Sequence, residues 1–531
     1  MEQQIVKNPQ LVVKRYHQSG TAFVHCLICS TAPKNAENQQ REDLQAADYA
    51  ASIESLGEIK QALKDFIKSQ WHGNGKNVLA KISIVLDIHG FNVPLASLEQ
   101  NTYEPLVQKF KSDSDGQTFD DFVLFINFSW PSERVIFSQI FAWFQAMPLV
   151  LWLLLISAIW LASLFWTHLL YPLGLTLLGL TLALILLRLV VYFRDRDRAS
   201  NYGVFDAVEL VRWIHQILAE IIAEETAAAD PLRSNPSLFG AANLSFIAHS
   251  MGCFVATQTI RVLTDVFDPA ATNHWKRTAS EGPFGGVEVE TPADVQEIAN
   301  LKKIGNFFKL KSLILASPDI PIWAITTGRS NFLRTCLRRF EEAYLFTNDA
   351  DMVLRLASTV ANYFIFPSNS RIGGYRLGNL TCTGTRSYGE VKLAPTGLGI
   401  RAFSKNLNLA AKPFASLTGG VYQPFTVVDC TDYRDLPVIG KGQSQRWLSV
   451  LTANNSFLSS VNYFLTAICH FLGIGKIDSH GGYFRGKFCL NLLYALALYG
   501  EDAAREKLVT SAKLGWNPLL EKHQIAWIDR D

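Results

Sequence analysis

Leu244-Ser245-Phe246-Ile247-Ala248-His249-Ser250-Met251-Gly252-Cys253 is the stretch that decides the fold. A short apolar strand, Leu244 to Ala248, runs into a turn with serine at its tip, and a helical pattern, Phe254 to Leu263, follows. This is the sequence form of a nucleophile elbow, a sharp strand-to-helix turn that exposes a serine hydroxyl at the end of a sheet. Strand and helix backbones pass close together there, so the residues beside the serine must be small. Ala248 and Gly252 take those places, giving A-x-S-x-G where G-x-S-x-G is the commoner form.

Working outward, apolar strand-like runs alternate with helical patterns. Candidate strands are Ala22 to Cys29, Ile82 to Ile88, Phe122 to Phe128, Leu244 to Ala248, Leu313 to Ala316, Ala343 to Phe346 and Phe425 to Val428. Candidate helices include Ala51 to Gln70, Phe205 to Glu225, Phe254 to Leu263, Asp351 to Tyr363 and Phe488 to Leu498. Such alternation predicts an α/β fold with a mainly parallel sheet. Asp265 to Asn300, Ser368 to Tyr422 and Asp432 to Gln445 are polar and read as loops, and long loops tend to be functional.

A serine nucleophile needs a base, a group that orients the base, and N–H donors for the oxyanion. In the α/β-hydrolase arrangement the chain order is Ser, then Asp or Glu, then His, with one oxyanion donor from the loop after the third strand. His89-Gly90-Phe91-Asn92 follows the strand Ile82 to Ile88. The expected donors are the N–H of Phe91 and that of Met251, the residue after Ser250, with His89, Gly90 and Gly252 shaping the turns. Two later strand ends offer an acid. Asp319 follows Leu313 to Ala316, and Asp349 and Asp351 follow Ala343 to Phe346. Asp351 is preferred, although it also stands where a helix N-cap would. Of eleven histidines only His470, His480 and His523 follow Asp351, and His480 sits in a short polar turn, Asp478-Ser479-His480-Gly481-Gly482. It is the expected base.

One region sets the composition apart. Hydrophobic residues make up 49% of the 531, and mean hydropathy is +0.12. Val135 to Leu187 holds no Asp, Glu, Lys or Arg. Met147 to Trp166 and Leu169 to Phe193 are each long enough to span a bilayer, which takes about 20 apolar residues. They predict a transmembrane helical hairpin. Arg134 precedes it, and Arg188, Arg194, Arg196 and Arg198 close it, so the positive-inside rule puts both ends and the globular mass in the cytoplasm. Met1 to Gln18 has no apolar core of a signal peptide. Asn455 to Gly475 is a second uncharged stretch, too polar for a span, and reads as a half-buried helix that touches the membrane surface or the core.

The net charge of +2 makes no case for nucleic acid. Cys26 and Cys29 form a C-x-x-C without a second pair, so no zinc site is expected. No G-x-x-x-x-G-K-[ST] loop and no H-E-x-x-H occurs.

Taken in order, the strings His89-Gly90-Phe91-Asn92, Ser129-Trp130-Pro131-Ser132, Asp195-Arg196-Asp197-Arg198-Ala199, Ala248-His249-Ser250-Met251-Gly252, Ser317-Pro318-Asp319 and Asp351-Met352-Val353-Leu354, with a late His480, resemble the bacterial α/β-hydrolases of largely undefined substrate. Arg376-Leu377-Gly378 and Val427-Val428-Asp429 also match that pattern. The hairpin and the Ser368 to Tyr422 stretch depart from it.

The resemblance implies hydrolysis of a carboxylic ester or related acyl bond, through an acyl-enzyme and without metal or organic cofactor. The implied division is 1–134 and 194–367 as hydrolase core, 135–193 as the hairpin, 368–424 as a loop-rich insertion that could form a lid, and 425–531 as the C-terminal part with the histidine. A tether at a bacterial inner membrane points to a lipophilic ester or acyl lipid as substrate. Two other readings stay open: a peptidase, amidase or thioesterase with the same residues, and a membrane scaffold that keeps the fold without activity.

Overall fold

A computed structural model describes residues 10–33, 41–72, 77–107, 121–132, 191–227, 239–267, 303–304, 307–326, 339–359, 375–382, 390–392, 398–401, 425–435, 445–451, 459–472 and 474–529, with isolated positions within 153–179 and 333–337.

The strands in chain order are β1 (Leu11–Ser19), β2 (Phe23–Ser30), β3 (Ile82–Ile88), β4 (Phe122–Ser129), β5 (Ala242–His249), β6 (Lys303–Ile304), β7 (Phe308–Ala316), β8 (Glu342–Thr347), β9 (Thr381–Cys382), β10 (Glu390–Lys392), β11 (Leu398–Arg401), β12 (Thr426–Asp429), β13 (Arg434–Asp435), β14 (Gln445–Arg446) and β15 (Ala526–Ile528). The main sheet runs β1-β2-β4-β3-β5-β7-β8-β12-β15, with β6 beside β7. From β2 to β12 all neighbours are parallel. The edges β1 and β15 and the short β6 pair antiparallel. The chain is therefore α/β with a mostly parallel central sheet.

Composition explains this order. Parallel strands are covered on both faces and read as continuous apolar runs. β2, β3 and β4 are buried at every position. On one face lie the helices Ala46–His72, Val204–Ala227 and Met251–Phe267, which share a core with Ile84, Leu86, Leu124, Leu244 and Phe246. On the other, the helix Lys487–Tyr499 packs Leu492, Leu493, Tyr494 and Leu496 against Val85, Phe125, Ile247 and Ile314. Alternate residues of each strand supply the two cores, as the period of two requires. Cys26 and Cys29, three apart in β2, leave on opposite faces and are both buried; burial lifts the Cys29 thiol to about 12.

The polar stretch read as the loop Ser368 to Tyr422 contains a three-stranded sheet, β10-β11-β9. The turn before it, Leu377–Asn379, is buried. The expected helix from Asp351 starts instead as a π-turn, Val353–Ser358. Residues 191–227 are helical throughout, with a π-turn at Ala199–Gly203.

Most of the expected hairpin, including Met147, Trp166 and Leu169, lies outside the described residues. Among the described residues no helix is long and apolar enough to cross a membrane. One boundary needs correction. Tyr192 is 2% exposed, belongs to the core and packs against Phe91 and Phe193. The end of the expected second span, up to Phe193, is thus seated on the globular part, because its aromatic rings find apolar partners there.

Candidate active site

The chain leaves β3 for β4 on one side and then reaches β5 on the other, so β3 and β5 are neighbours whose connections diverge. A crevice opens at the carboxyl ends of strands at such a switch point. The β3 end carries His89-Gly90, and the β5 end carries Ser250.

At Ser250 the backbone takes φ 55°, left-handed for a residue with a Cβ, a conformation a non-glycine residue adopts only when its surroundings fix it. The Ser250 N–H donates to the Ala316 carbonyl at 2.9 Å, and the Ser250 carbonyl accepts from Asp319 N at 3.1 Å. The helix begins at Met251. A Cβ on Gly252 would sit 2.5 Å from the carbonyl oxygens of both Ile88 and His89; only glycine fits. A Cβ on Gly90 would lie 2.8 Å from Cβ of Ser250. The loop after β3 therefore rests on the elbow, and Phe91 follows directly. Met251 heads a helix whose first N–H groups have no intrahelical acceptor.

Asp351 follows β8, the second long strand beyond β5 in the sheet. Its two oxygens divide the work that the sequence assigned to competing readings. Oδ1 accepts the N–H groups of Val353 (3.0 Å) and Leu354 (3.1 Å), as a helix cap does. Oδ2 meets Nδ1 of His480 at 2.8 Å. A carboxylate only accepts, so Nδ1 carries the proton and Nε2 keeps its lone pair. Ser317, held at φ 46°, donates its hydroxyl to the same Oδ2.

The His480 turn is pinned from three sides. Asp478 Oδ1 accepts the N–H groups of His480 (3.2 Å) and Gly481 (2.8 Å). Asn348 Nδ2 donates to the Ser479 carbonyl at 2.6 Å. His249 Nε2 bonds the His480 carbonyl at 2.9 Å. The His480 ring lies 4.7 Å from that of His249 and 6.4 Å from that of Phe91, centroid to centroid. The residue before Ser250 and the loop after β3 thus converge on one imidazole. Ser250 Oγ and His480 Nε2 are both buried, and neither has a hydrogen-bond partner among the described residues.

Electrostatics separates the histidines. Burial disfavours charge on His480, but the adjoining Asp351 carboxylate, its hydrogen bond, and the more distant Asp478 and Asp319 outweigh it, so the pKa is raised. His249 is pushed down to about 4 by burial and by His480, and so offers a neutral N–H to the carbonyl. Burial also brings His89 to about 4. His89 stacks on Trp130, whose Nε1 donates to the His89 carbonyl at 2.9 Å.

The remaining acids are engaged elsewhere. Asp349 pairs with Arg355 and Tyr463. Asp319 pairs with buried Arg376 at 3.0 Å and lies against the Tyr192 hydroxyl. His523 stacks on Phe488 at 4.0 Å, and His470 contacts Ser479 and Asp478. Ser317, His249 and Asp195 escaped the sequence reading. All three stood inside quoted strings, and only contacts across the fold give them a task. Gly378 of the Arg376-Leu377-Gly378 string rests on Ser317, where a Cβ would lie 2.7 Å from the Ser317 carbonyl carbon.

Comparison with protein-family models, curated proteins and solved structures found no match.

Proposed function

We propose that the chain is a serine hydrolase of the α/β-hydrolase type that cleaves carboxylic esters. One observation carries the reading. A carboxylate–imidazole pair at 2.8 Å lies beside the strand-to-helix turn that carries a left-handed serine, its imidazole 4.7 Å from the ring of His249, the residue before that serine, and Ser250 Oγ and His480 Nε2 are both buried without a partner among the described residues. The order of parts supports it too: donor loop after β3, serine after β5, acid after β8, histidine last.

In this proposal Nε2 of His480 takes the proton of Ser250 as Oγ attacks the acyl carbonyl. The oxyanion is held by the N–H groups of Phe91 and Met251. The imidazolium returns its proton to the leaving alcohol, giving an acyl-enzyme. Water, deprotonated by Nε2, then attacks that ester and releases the acid. Asp351 fixes the tautomer and steadies the imidazolium at both stages.

We place the enzyme at a bilayer, anchored by the segment around Met147 to Trp166 and Leu169 to Phe193, with its globular part cytoplasmic and a lipophilic ester as substrate. Leu153, Ile156 and Trp160 occupy helical positions three and four apart and are each more than half exposed; apolar side chains on one helix stripe facing outward suit lipid better than a water-facing surface. On the helix Ser459–Leu472, Phe464 is 67% exposed as well.

The test is labelling of the full chain in native membranes by a fluorophosphonate, followed by turnover of a panel of esters, amides and thioesters. Labelling that disappears in Ser250→Ala is expected, with esters the fastest substrates. Equal labelling of both proteins, or none, would sink the enzyme reading. Faster amide or thioester cleavage would replace the substrate class.

A further inference from the structure

Asp195 is fully buried, yet it touches none of the groups assigned to bond making. Its Oδ2 accepts the backbone N–H of Asn92 at 3.2 Å and the hydroxyl of Ser132 at 3.1 Å. Ser132 Oγ in turn accepts the N–H of Val93 at 3.2 Å. Oδ1 faces Arg194 at 3.0 Å and Arg198 at 3.6 Å. One carboxylate therefore ties two consecutive amides of the loop that follows Gly90, one directly and one through a hydroxyl.

That loop needs tying. Asn92 sits at φ 60°, a left-handed conformation that a residue with a side chain holds only under restraint. Its N–H belongs to the peptide after Phe91, so holding that peptide restrains ψ of Phe91 and the setting of the residue whose N–H is the proposed donor. Catalytic donors act through pre-organisation, and displacement by about 1 Å costs roughly 100-fold in rate. The carboxylate comes from the helical residues 191–198, which leave the apolar stretch, and the neighbouring Tyr192 packs on Phe91 at 6.1 Å.

We propose that Asp195, acting with Ser132, is a positioning residue that holds the 90–93 loop so that the Phe91 N–H faces the oxyanion. The proposal rests on the hydrolase reading. It also makes the segment leaving the apolar stretch a structural part of the oxyanion site, so the site is complete only when residues 191–198 are seated.

The full chain is tested as wild type, Asp195→Ala, Asp195→Asn and Ser132→Ala. The readouts are turnover of a p-nitrophenyl ester and amide hydrogen exchange at Asn92 and Val93. Asp195→Ala should lower kcat by about 30- to 100-fold with KM within about threefold, since the donor acts on the transition state. Asp195→Asn keeps an oxygen for the Asn92 N–H and should recover most of the rate. Exchange at Asn92 and Val93 should quicken in Asp195→Ala.

Ser132→Ala leaves the Asp195–arginine pairs in place. It should quicken exchange at Val93 and lower kcat by a smaller factor, which keeps the test open if Asp195→Ala does not fold. Wild-type kcat in a folded Asp195→Ala or in Ser132→Ala, a loss confined to KM, or unchanged exchange would each overturn the proposal. These results are distinct from failure of the hydrolase reading, in which the wild type itself shows no Ser250-dependent turnover and both readings fall.

Discussion

Two buried histidine–carboxylate arrangements lie on this sheet, and they behave oppositely. At the strand ends, His480 Nδ1 meets Asp351 directly at 2.8 Å. Within β2, β4 and β3, His25 and Asp87 are separated by Asn127, with His25 Nε2 2.7 Å from Asn127 Oδ1 and Asn127 Nδ2 2.8 Å from Asp87 Oδ2. Burial alone pushes a histidine down and an aspartate up. In the inner chain that effect prevails. Burial, weakly opposed by the Asn127 hydrogen bond, takes His25 to about 4. Burial likewise lifts Asp87 to about 7, again against the Asn127 bond. At the strand ends the carboxylate's own charge overrides burial, and His480 is raised. An interposed amide carries hydrogen bonds but little charge stabilisation. Direct contact between imidazole and carboxylate is what makes a site able to cycle through an imidazolium.

The largest expected contrast is in turnover. Asp351→Asn should lower kcat by ~10⁴-fold, because the amide no longer fixes the right tautomer or stabilises the imidazolium. Asp87→Asn should leave kcat within about threefold, since nothing in the inner chain reaches Ser250. Ester turnover at saturating substrate measures both, and similar losses would erase the distinction.

Next comes the pH profile. In the proposed mechanism His480 works only when neutral, so kcat/KM should fall as pH drops through its pKa, on a limb lying above the ordinary histidine value of 6.5. In Asp351→Asn the residual activity should show that limb at lower pH, because the group that raises it is gone. A limb at the same pH in both proteins would mean that Asp351 does not set it.

The smallest effect concerns stability. Asp87 has a raised folded-state pKa, so the folded chain holds a proton that the unfolded chain has released, and stability falls as pH rises from about 4 to about 7. His25 has a lowered one, so its contribution rises with pH from about 4 to 6.5. The two oppose each other. Asp87→Asn should make the thermal midpoint climb more steeply with pH than in wild type, and His25→Asn less steeply. Three parallel curves would show that the inner groups titrate as they do in water.

Reading the sequence located the inner strands well, because a strand buried on both faces must be a continuous apolar run. Of the main sheet it missed β1, β6 and β15. The Leu11–Ser19 run carries Lys14, Arg15, His17 and Gln18, and an edge strand is polar wherever it meets water. The stretch around Leu377–Asn379 read as loop because its burial comes from contacts with Ser317 and Leu354 distant in sequence. Asp349 and Asp351 could only be ranked. They stand two residues apart on one turn, and what separates them is Arg355 and Tyr463 claiming the first while His480 and Ser317 meet the second.

The chain by itself determined the elbow. Ser250 between a strand and a helix, with Gly252 two residues on, is local geometry, and local sterics admit few other residues there. It also set the order in which the loop after β3, Ser250, Asp351 and His480 arrive. Only the tertiary structure decided which carboxylate faces the imidazole, which buried histidine is pulled toward the charged form, and which side chain holds the loop beside Gly90. Those are questions of charge at distances of about 3 Å between residues separated by up to 231 positions, as from His249 to His480, and no local pattern records such distances.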